Sequence, residues 1–166
     1  LPCLSTKSTV YPGCCLALSV PLLAHLHALL PQPPALTLSI GSGYGLLEAI
    51  LLNPPYNVNI VGVEVQPSPN THLPHTRHRT VPGSRFLEPL AQEAGVWMFA
   101  YPRRVGLLDE YLREHGGGKV EMVVWIGPTM DWEDYRGCFE EWQVEAKSAE
   151  EVGGRAWEVI AVARKS

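Results

Sequence analysis

The sequence Leu-Thr-Leu-Ser-Ile-Gly-Ser-Gly-Tyr-Gly-Leu-Leu, residues 36–47, decides the expected fold. Its first part continues a short apolar run from Ala35 to Ile40, which is typical of a buried strand. Glycines follow at every second position, and beyond them leucines and an isoleucine share one helical face from Leu46 to Leu52. Glycine lets the backbone turn sharply because it has no Cβ. The stretch therefore predicts a strand, a tight turn and a helix in direct succession.

Strand and helix patterns alternate on both sides of this turn. Further strands are predicted at 58–65, 79–81, 96–100 and 121–126. Further helices are predicted at 16–30, 86–94, 105–115 and 131–141, the last with Asp131 as its N-terminal cap. Two alternating segments, 143–147 and 157–163, predict a closing antiparallel hairpin. The order predicts an α/β fold in three layers, a Rossmann-like and mostly parallel sheet of about seven strands with a C-terminal hairpin.

The length of 166 residues predicts one domain over 1–166, with 1–15 as an irregular N-terminal segment. The apolar stretch at 14–30 contains a proline and two histidines and is too short to cross a membrane. We expect a core helix there, without a signal peptide or a membrane partner. Pro21 fits such a helix in its first turn, after Ser19.

Charge and cysteine content indicate the kind of environment and partner. The formal net charge is −4 and the pI is about 5.9, which disfavours a nucleic-acid partner because phosphates are usually met by basic patches. The four cysteines show no CxxC spacing, and Cys14 and Cys15 are adjacent. We interpret them as reduced thiols, and hence expect an intracellular, cytoplasmic protein.

No metal site is predicted. His72, His75 and His78 are spaced by three in a polar segment, but no cysteine or acid lies nearby in the sequence. A tetrahedral metal site needs further ligands of that kind. We interpret the segment as a solvated loop, and a flap that carries a base over a bound ligand is the alternative.

An acidic residue stands at the distance from the glycine turn that a nucleoside pocket requires. Glu64 lies 21 positions beyond Gly43, at the end of the second predicted strand. A carboxylate there can accept hydrogen bonds from ribose hydroxyls, while the amides of the following helix point at the same place. The combination predicts a nucleoside pocket. A tight strand-to-helix connection without a ligand is the alternative.

Glycines at 41, 43 and 45, together with Glu64 and the terminal hairpin, resemble class I S-adenosylmethionine-dependent methyltransferases. A dinucleotide fingerprint would place its third glycine where this chain has Leu46. The resemblance extends over residues 16–165 and implies S-adenosylmethionine as the cofactor. It also implies that Tyr101, after the fourth strand, lines the acceptor site, which makes it the candidate catalytic residue. The cofactor-binding residues that it implies are Gly41, Ser42, Gly43, Tyr44, Gly45, Glu64, Val65 and Ser84.

Two positions depart from the family pattern. Ser39 stands where family members commonly carry an acid before the first glycine. The acid that often meets the adenine amino group after the third strand is also missing, and Ser84 stands near its position as a substitute. The tetrapeptide at 53–56, Asn-Pro-Pro-Tyr, follows a helix and is interpreted as a connector.

Three functions remain open on these grounds. The first is a minimal methyltransferase that acts on an unknown acceptor, a small molecule or a macromolecular partner. The second is a catalytically degenerate protein of this fold that serves as a binding or scaffold subunit for a protein partner. A nicotinamide-dependent reductase is the third, and the glycine spacing and the terminal hairpin count against it.

Overall fold

A seven-stranded sheet lies at the centre of the computed structural model, which describes residues 1–166. Its spatial order is β3-β2-β1-β4-β5-β7-β6. The first five strands of that order are parallel, and β7 runs antiparallel between β5 and β6. This confirms the predicted Rossmann-like α/β class. The strands are β1 Thr37–Ile40, β2 Ile60–Val65, β3 His78–Val81, β4 Val96–Ala100, β5 Met122–Pro128, β6 Trp142–Ser148 and β7 Glu158–Lys165.

Helices cover both faces of the sheet and make the expected three layers. The helices are α1 Val20–Leu29, α2 Leu46–Leu52, α3 Val105–His115 and α4 Thr129–Tyr135. Leucines of α1 and α2 pack with the even-numbered residues of β4 and β7 on one face. Aromatic side chains of α3 and α4 pack with Trp97 and Trp125 on the other. None of these helices has the length and apolar character needed to cross a membrane.

The first helix is shorter than the predicted range 16–30. Ser19 caps it, because its side chain accepts a hydrogen bond from the amide of Leu22, and Pro21 lies in the first turn as expected. Leu18 is extended instead, and its amide and carbonyl pair with those of Thr9. The N-terminal segment thus has one ordered pairing that the sequence did not predict.

Two further helix predictions are wrong in part. The range predicted at 86–94 contains only a short 3₁₀ turn, Pro89–Gln92, because the amides of Gly95 and Val96 already bind Leu36 O and start the next strand. The helix predicted at 131–141 begins earlier, at Thr129, and continues as a 3₁₀ turn over Arg136–Phe139.

Asp131 is not the N-terminal cap of that helix. It lies in the first turn of α4, and Pro128 occupies the cap position. The start of the helix is set by Thr129, whose amide and hydroxyl both donate to the carbonyl of Trp157, at 2.8 and 3.0 Å. This tie joins α4 to the segment before β7, 28 residues away in the chain.

Parallel strands end at one edge of the sheet, which we call the carboxyl edge. The glycine turn follows β1 there, Glu64 lies near the end of β2, and Tyr101 follows β4. Because β7 is antiparallel, its first residue, Glu158, lies at the same edge and pairs with Pro128 of β5. The fold therefore places four functional candidates from four parts of the chain along one edge.

Candidate functional site

The glycine turn is fixed to the neighbouring strand through its backbone. The amides of Gly41 and Ser42 both donate to Val63 O of β2, at 2.9 and 3.0 Å. Gly41, Gly43 and Gly45 have φ values of +83°, +58° and +81°, in the left-handed region that glycine adopts without strain. The sequence prediction of a tight turn between β1 and α2 is therefore confirmed.

The glycines of the turn have different reasons to be glycine. A Cβ at Gly41 or Gly43 would meet no atom within 4 Å, so the backbone there is open to an approaching group. A Cβ at Gly45 would lie 2.6 Å from the Asn70 side-chain oxygen. Gly45 is thus required by packing against the loop after β2, whereas Gly41 and Gly43 present bare backbone.

Glu64 lies against the turn, as its spacing predicts. Its Oε2 accepts a hydrogen bond from the amide of Gly43 and its Oε1 accepts one from the amide of Val65, each at 2.9 Å. A carboxylate has about four acceptor positions, so each oxygen can accept one further hydrogen bond. The partly buried carboxylate is therefore held in place by the backbone and keeps capacity for hydroxyl donors.

The acid missing at Ser39 is supplied by a residue that the sequence analysis did not single out. The Ser39 hydroxyl donates to Glu48 Oε2 at 2.5 Å, and Glu48, in the first turn of α2, is 3% exposed. Burial raises the pKa of Glu48 to about 7. The available signal was a lone carboxylate within the otherwise apolar residues of α2.

Of the other predicted cofactor-binding residues, some lie at the glycine turn and one does not. Ser42 is buried in the turn, and Val65 lies at the end of β2 beside Glu64. Ser84 is exposed, its hydroxyl makes no hydrogen bond, and its carbonyl accepts from Arg104 Nη2 at 2.6 Å. The structure therefore gives Ser84 no contact with the glycine turn.

Tyr44 connects the turn to the N-terminal segment. Its ring is half-exposed, and a Cβ at Gly13 would lie 2.6 Å from the ring carbon Cδ2. Its carbonyl accepts hydrogen bonds from the amides of Thr71 and His72, both at 3.1 Å. The N-terminal segment, expected to be irregular, thus packs against the candidate site.

Tyr101 is held in an uncommon conformation beside a buried acid. Its φ is +53°, and its amide donates to Ile126 O at 2.7 Å. Its phenol donates a hydrogen bond to Glu158 Oε2. Burial, with the hydrogen bond and charge of Glu158, raises the pKa of Tyr101. Glu158 was missed from sequence because it stands where a turn passes into a strand.

The acidic side chains of the carboxyl edge form no ion pairs. The structure has four ion pairs, and none includes Glu48, Glu64 or Glu158. Burial, followed by the charge of Glu48, raises the pKa of the nearby Cys14 thiol to about 12, so that the thiol is protonated and unreactive at neutral pH. The edge is suited to a ligand that carries positive charge.

The histidine segment does not form a cluster. His78 begins β3, where its Nε2 lies 2.8 Å from the Ser68 hydroxyl, and His75 begins a 3₁₀ turn. No group of three or more His, Cys, Asp or Glu side chains is arranged to hold a metal ion. The contribution of this segment to the candidate site is the backbone amide of His72, which donates to Tyr44 O.

Comparison with solved structures identifies the fold. The chain is similar to the precorrin-6y C5,15-methyltransferase from Geobacter metallireducens, with a TM-score of 0.63 and 15% identity over 96% of this chain and 94% of that one. It is similar to the methyltransferase domain of a bacterial Hen1, with a TM-score of 0.57 and 12% identity over 87% and 97% of the two chains. A plantazolicin methyltransferase solved with S-adenosylhomocysteine gives a TM-score of 0.59 and 9% identity over 88% and 82%.

The chain thus has the fold of class I S-adenosylmethionine-dependent methyltransferases, as its glycine turn and terminal hairpin led us to expect. No family model and no curated protein matches the sequence. At these identities the comparison establishes the fold, and the chemistry is argued from the residues of this chain.

Proposed function

We propose that this chain is an S-adenosylmethionine-dependent methyltransferase that binds its cofactor across the glycine turn. One observation carries the proposal. The Glu64 carboxylate is fixed at 2.9 Å from the Gly43 amide, beside backbone that is open at Gly41 and Gly43. A held carboxylate next to bare backbone, at the carboxyl edge of a parallel sheet, suits a ribose and its attached chain.

The residues present fit this cofactor in shape and in charge. Glu64 retains acceptor capacity for two hydroxyl donors. S-adenosylmethionine carries a sulfonium and an ammonium group, and the unpaired carboxylates of the edge suit such a ligand. Glu48, hydrogen-bonded to Ser39, places a carboxyl group beside the position where family members carry an acid at the end of β1, and its pKa of about 7 leaves it partly ionised at neutral pH. The departure at Ser39 therefore does not argue for a degenerate site.

The cofactor supplies an activated methyl group, and the protein has to bind, orient and exclude water. The glycine turn and Glu64 would hold the ribose and methionine parts. Tyr101, at the same edge, would line the place of the methyl acceptor. The acceptor itself is a small molecule or part of a macromolecule.

Binding of S-adenosylhomocysteine tests the proposal. A ligand that binds only the folded state stabilises it by about 2.7 kcal/mol at one hundred times its Kd, which a thermal-shift assay detects readily. We expect an increase in Tm that Glu64→Ala abolishes. Glu145→Ala is the matched control, because Glu145 is an exposed carboxylate of β6 and makes no hydrogen bond or ion pair.

Three outcomes separate the candidate functions. The absence of any shift at millimolar S-adenosylhomocysteine would contradict cofactor binding. A shift with NADH alone would instead support the nicotinamide-dependent reductase. Binding of the cofactor without methyl transfer to any acceptor would leave the scaffold function.

A further inference from the structure

A buried carboxylate oxygen at the carboxyl edge has no partner. Glu158 is 1% exposed, its Oε2 accepts from Tyr101, and its Oε1 makes no hydrogen bond. Burying a charged group without pairing it is costly, and folded proteins rarely retain such a group without a functional reason. An acceptor position that the fold leaves unfilled is a place for a donor from a ligand.

The position of Glu158 relates it to the proposed cofactor site. It faces the side of the sheet that carries Tyr101 and Cys14, which pack on the same apolar cluster as Ile160 of β7. Three strand spacings, about 14 Å, separate β7 from β1 along the edge. Tyr101 follows β4, between the two. The pair of Tyr101 and Glu158 therefore lies at the same edge as the glycine turn, on the β7 side of it.

Tyr101 adopts a backbone conformation that a non-glycine residue rarely adopts. A non-glycine residue at φ +53° is uncommon, and strained residues persist where the surroundings over-determine them. Here the backbone amide donates a hydrogen bond to Ile126 O and the phenol donates one to Glu158, so both ends of the residue are fixed. The phenol of Tyr101 is thereby held against the Glu158 carboxylate.

No protein cation compensates the charge of Glu158. None of the four ion pairs includes it, and the groups that act on Tyr101 and Cys14 are other acids and thiols, namely Glu48, Asp131 and Cys15. A buried carboxylate oxygen that is free beside a phenol is a suitable surrounding for an ammonium group, through a charge-assisted hydrogen bond.

We propose that Tyr101 and Glu158 form the methyl-acceptor subsite and that the acceptor is an amine that arrives as its ammonium form. This rests on the proposed methyltransferase function. Glu158 Oε1 accepts a hydrogen bond from the ammonium and then its proton, which leaves a nitrogen lone pair. That lone pair forms the new N–C bond as the S–C bond of the cofactor breaks with its electron pair on sulfur. The proton remains on Glu158, and charge and atoms balance.

Entry to the subsite requires a local movement. Glu158 is 1% exposed and hydrogen-bonded to Tyr101, and its free oxygen is closed to solvent. An ammonium group that reaches Oε1 must displace a neighbouring group locally. We expect binding to perturb the backbone amide resonances of Tyr101 and Cys14.

The test uses three probes of one shape and different charge, with saturating S-adenosylhomocysteine present. They are benzylammonium, benzyl alcohol and benzoate, titrated at neutral pH and followed by NMR. We expect benzylammonium to bind about tenfold more tightly than the other two, the effect of one charge-assisted hydrogen bond. Glu158→Gln should remove that preference and leave the S-adenosylhomocysteine affinity within about twofold. Glu145→Gln is the matched control that should retain it.

The outcomes separate this inference from the function on which it rests. If S-adenosylhomocysteine does not bind the native chain, the methyltransferase proposal fails. If it binds but the three probes do not differ, or benzoate binds best, the amine subsite alone is wrong. Because the probe comparison needs only the native chain, it holds even if Glu158→Gln fails to fold, and retained cofactor binding reports that the variant is folded.

Discussion

At the residue scale, Glu48 links protonation to stability. Its pKa is raised from 4.5 to about 7 by burial, so the folded state binds a proton more tightly than the unfolded state. The stability that this proton provides is complete below pH 4.5, falls as the pH rises and is lost above about pH 7. A shift of this size corresponds to about 3 kcal/mol at most.

Glu48→Gln should therefore stabilise the protein at alkaline pH. Glutamine carries no charge and can still accept the hydrogen bond from Ser39. We expect the variant to be more stable than the native chain by about 1–3 kcal/mol at pH 8, with little difference at pH 5. Urea unfolding between these pH values measures the difference. Glu145→Gln, at an exposed site, should show no such pH dependence, and a variant less stable at pH 8 would contradict the assignment.

Two glycines of the turn should separate binding from stability. A Cβ at Gly43 meets no atom, whereas a Cβ at Gly45 lies 2.6 Å from Asn70 Oδ1 and 3.1 Å from Leu73 Cγ. Gly43→Ala should cost about 1 kcal/mol of stability for its positive φ and weaken S-adenosylhomocysteine binding at least tenfold. Gly45→Ala should lose about 2 kcal/mol or more because packing must also shift. Calorimetric titration and urea unfolding of both variants distinguish the two effects, and equal losses of affinity would contradict the open approach at Gly43.

At the scale of elements, the sequence predicts the helices and strands whose ends lie next to a glycine or a proline. The bounds of β4 and α3 were predicted to the residue, because Gly95, Pro102 and Gly116 delimit them. The predicted start of α4 was wrong because the helix begins where Thr129 donates a hydrogen bond to Trp157 O. These two residues are 28 positions apart, so the local sequence does not indicate the bond. The same distinction holds for the site. Gly43 and Glu64 follow from a spacing along the chain, whereas the pairing of Tyr101 with Glu158 depends on the antiparallel return of β7.

Ser19 joins an element to its neighbour and should be a sensitive position for stability. Its buried hydroxyl accepts from the amide of Leu22 and donates to Gly153 O at 2.8 Å, in the turn before β7. Ser19→Ala removes the cap of α1 and this second bond, so we expect a loss of about 1–2 kcal/mol in urea unfolding. Thr6→Ala, at an exposed hydroxyl without a hydrogen bond, is the control and should change stability by less than about 0.5 kcal/mol. Equal effects would show that the cap is not stabilising.

At the scale of the whole molecule, the topology concentrates acids that are distant in sequence. Glu48 comes from a helix, Glu64 from a parallel strand and Glu158 from an antiparallel one, yet all lie at the carboxyl edge without ion pairs. The composition alone indicates only a mildly negative net charge. A cationic ligand at this edge would therefore meet more acidic groups than the net charge of −4 indicates.

The N-terminal segment should respond to cofactor binding because it touches the glycine turn. Gly13, at φ +75°, packs against the Tyr44 ring so closely that a Cβ would lie 2.6 Å from it. A ligand that orders the turn should therefore also slow amide exchange at residues 13–15, while the exposed strand β6 is unaffected. Hydrogen exchange with and without S-adenosylhomocysteine measures this.

Gly13→Ala provides the decisive comparison for this coupling. The added methyl group forces the segment away from Tyr44, and the positive φ adds about 1 kcal/mol of strain. Protection of the turn by the ligand should persist in the variant, because Gly43 and Glu64 are unchanged. Protection of residues 13–15 should be lost. Equal protection of these residues in both proteins would show that the segment is ordered independently of the turn. The contact between Gly13 and Tyr44 would then not couple ligand binding to the segment.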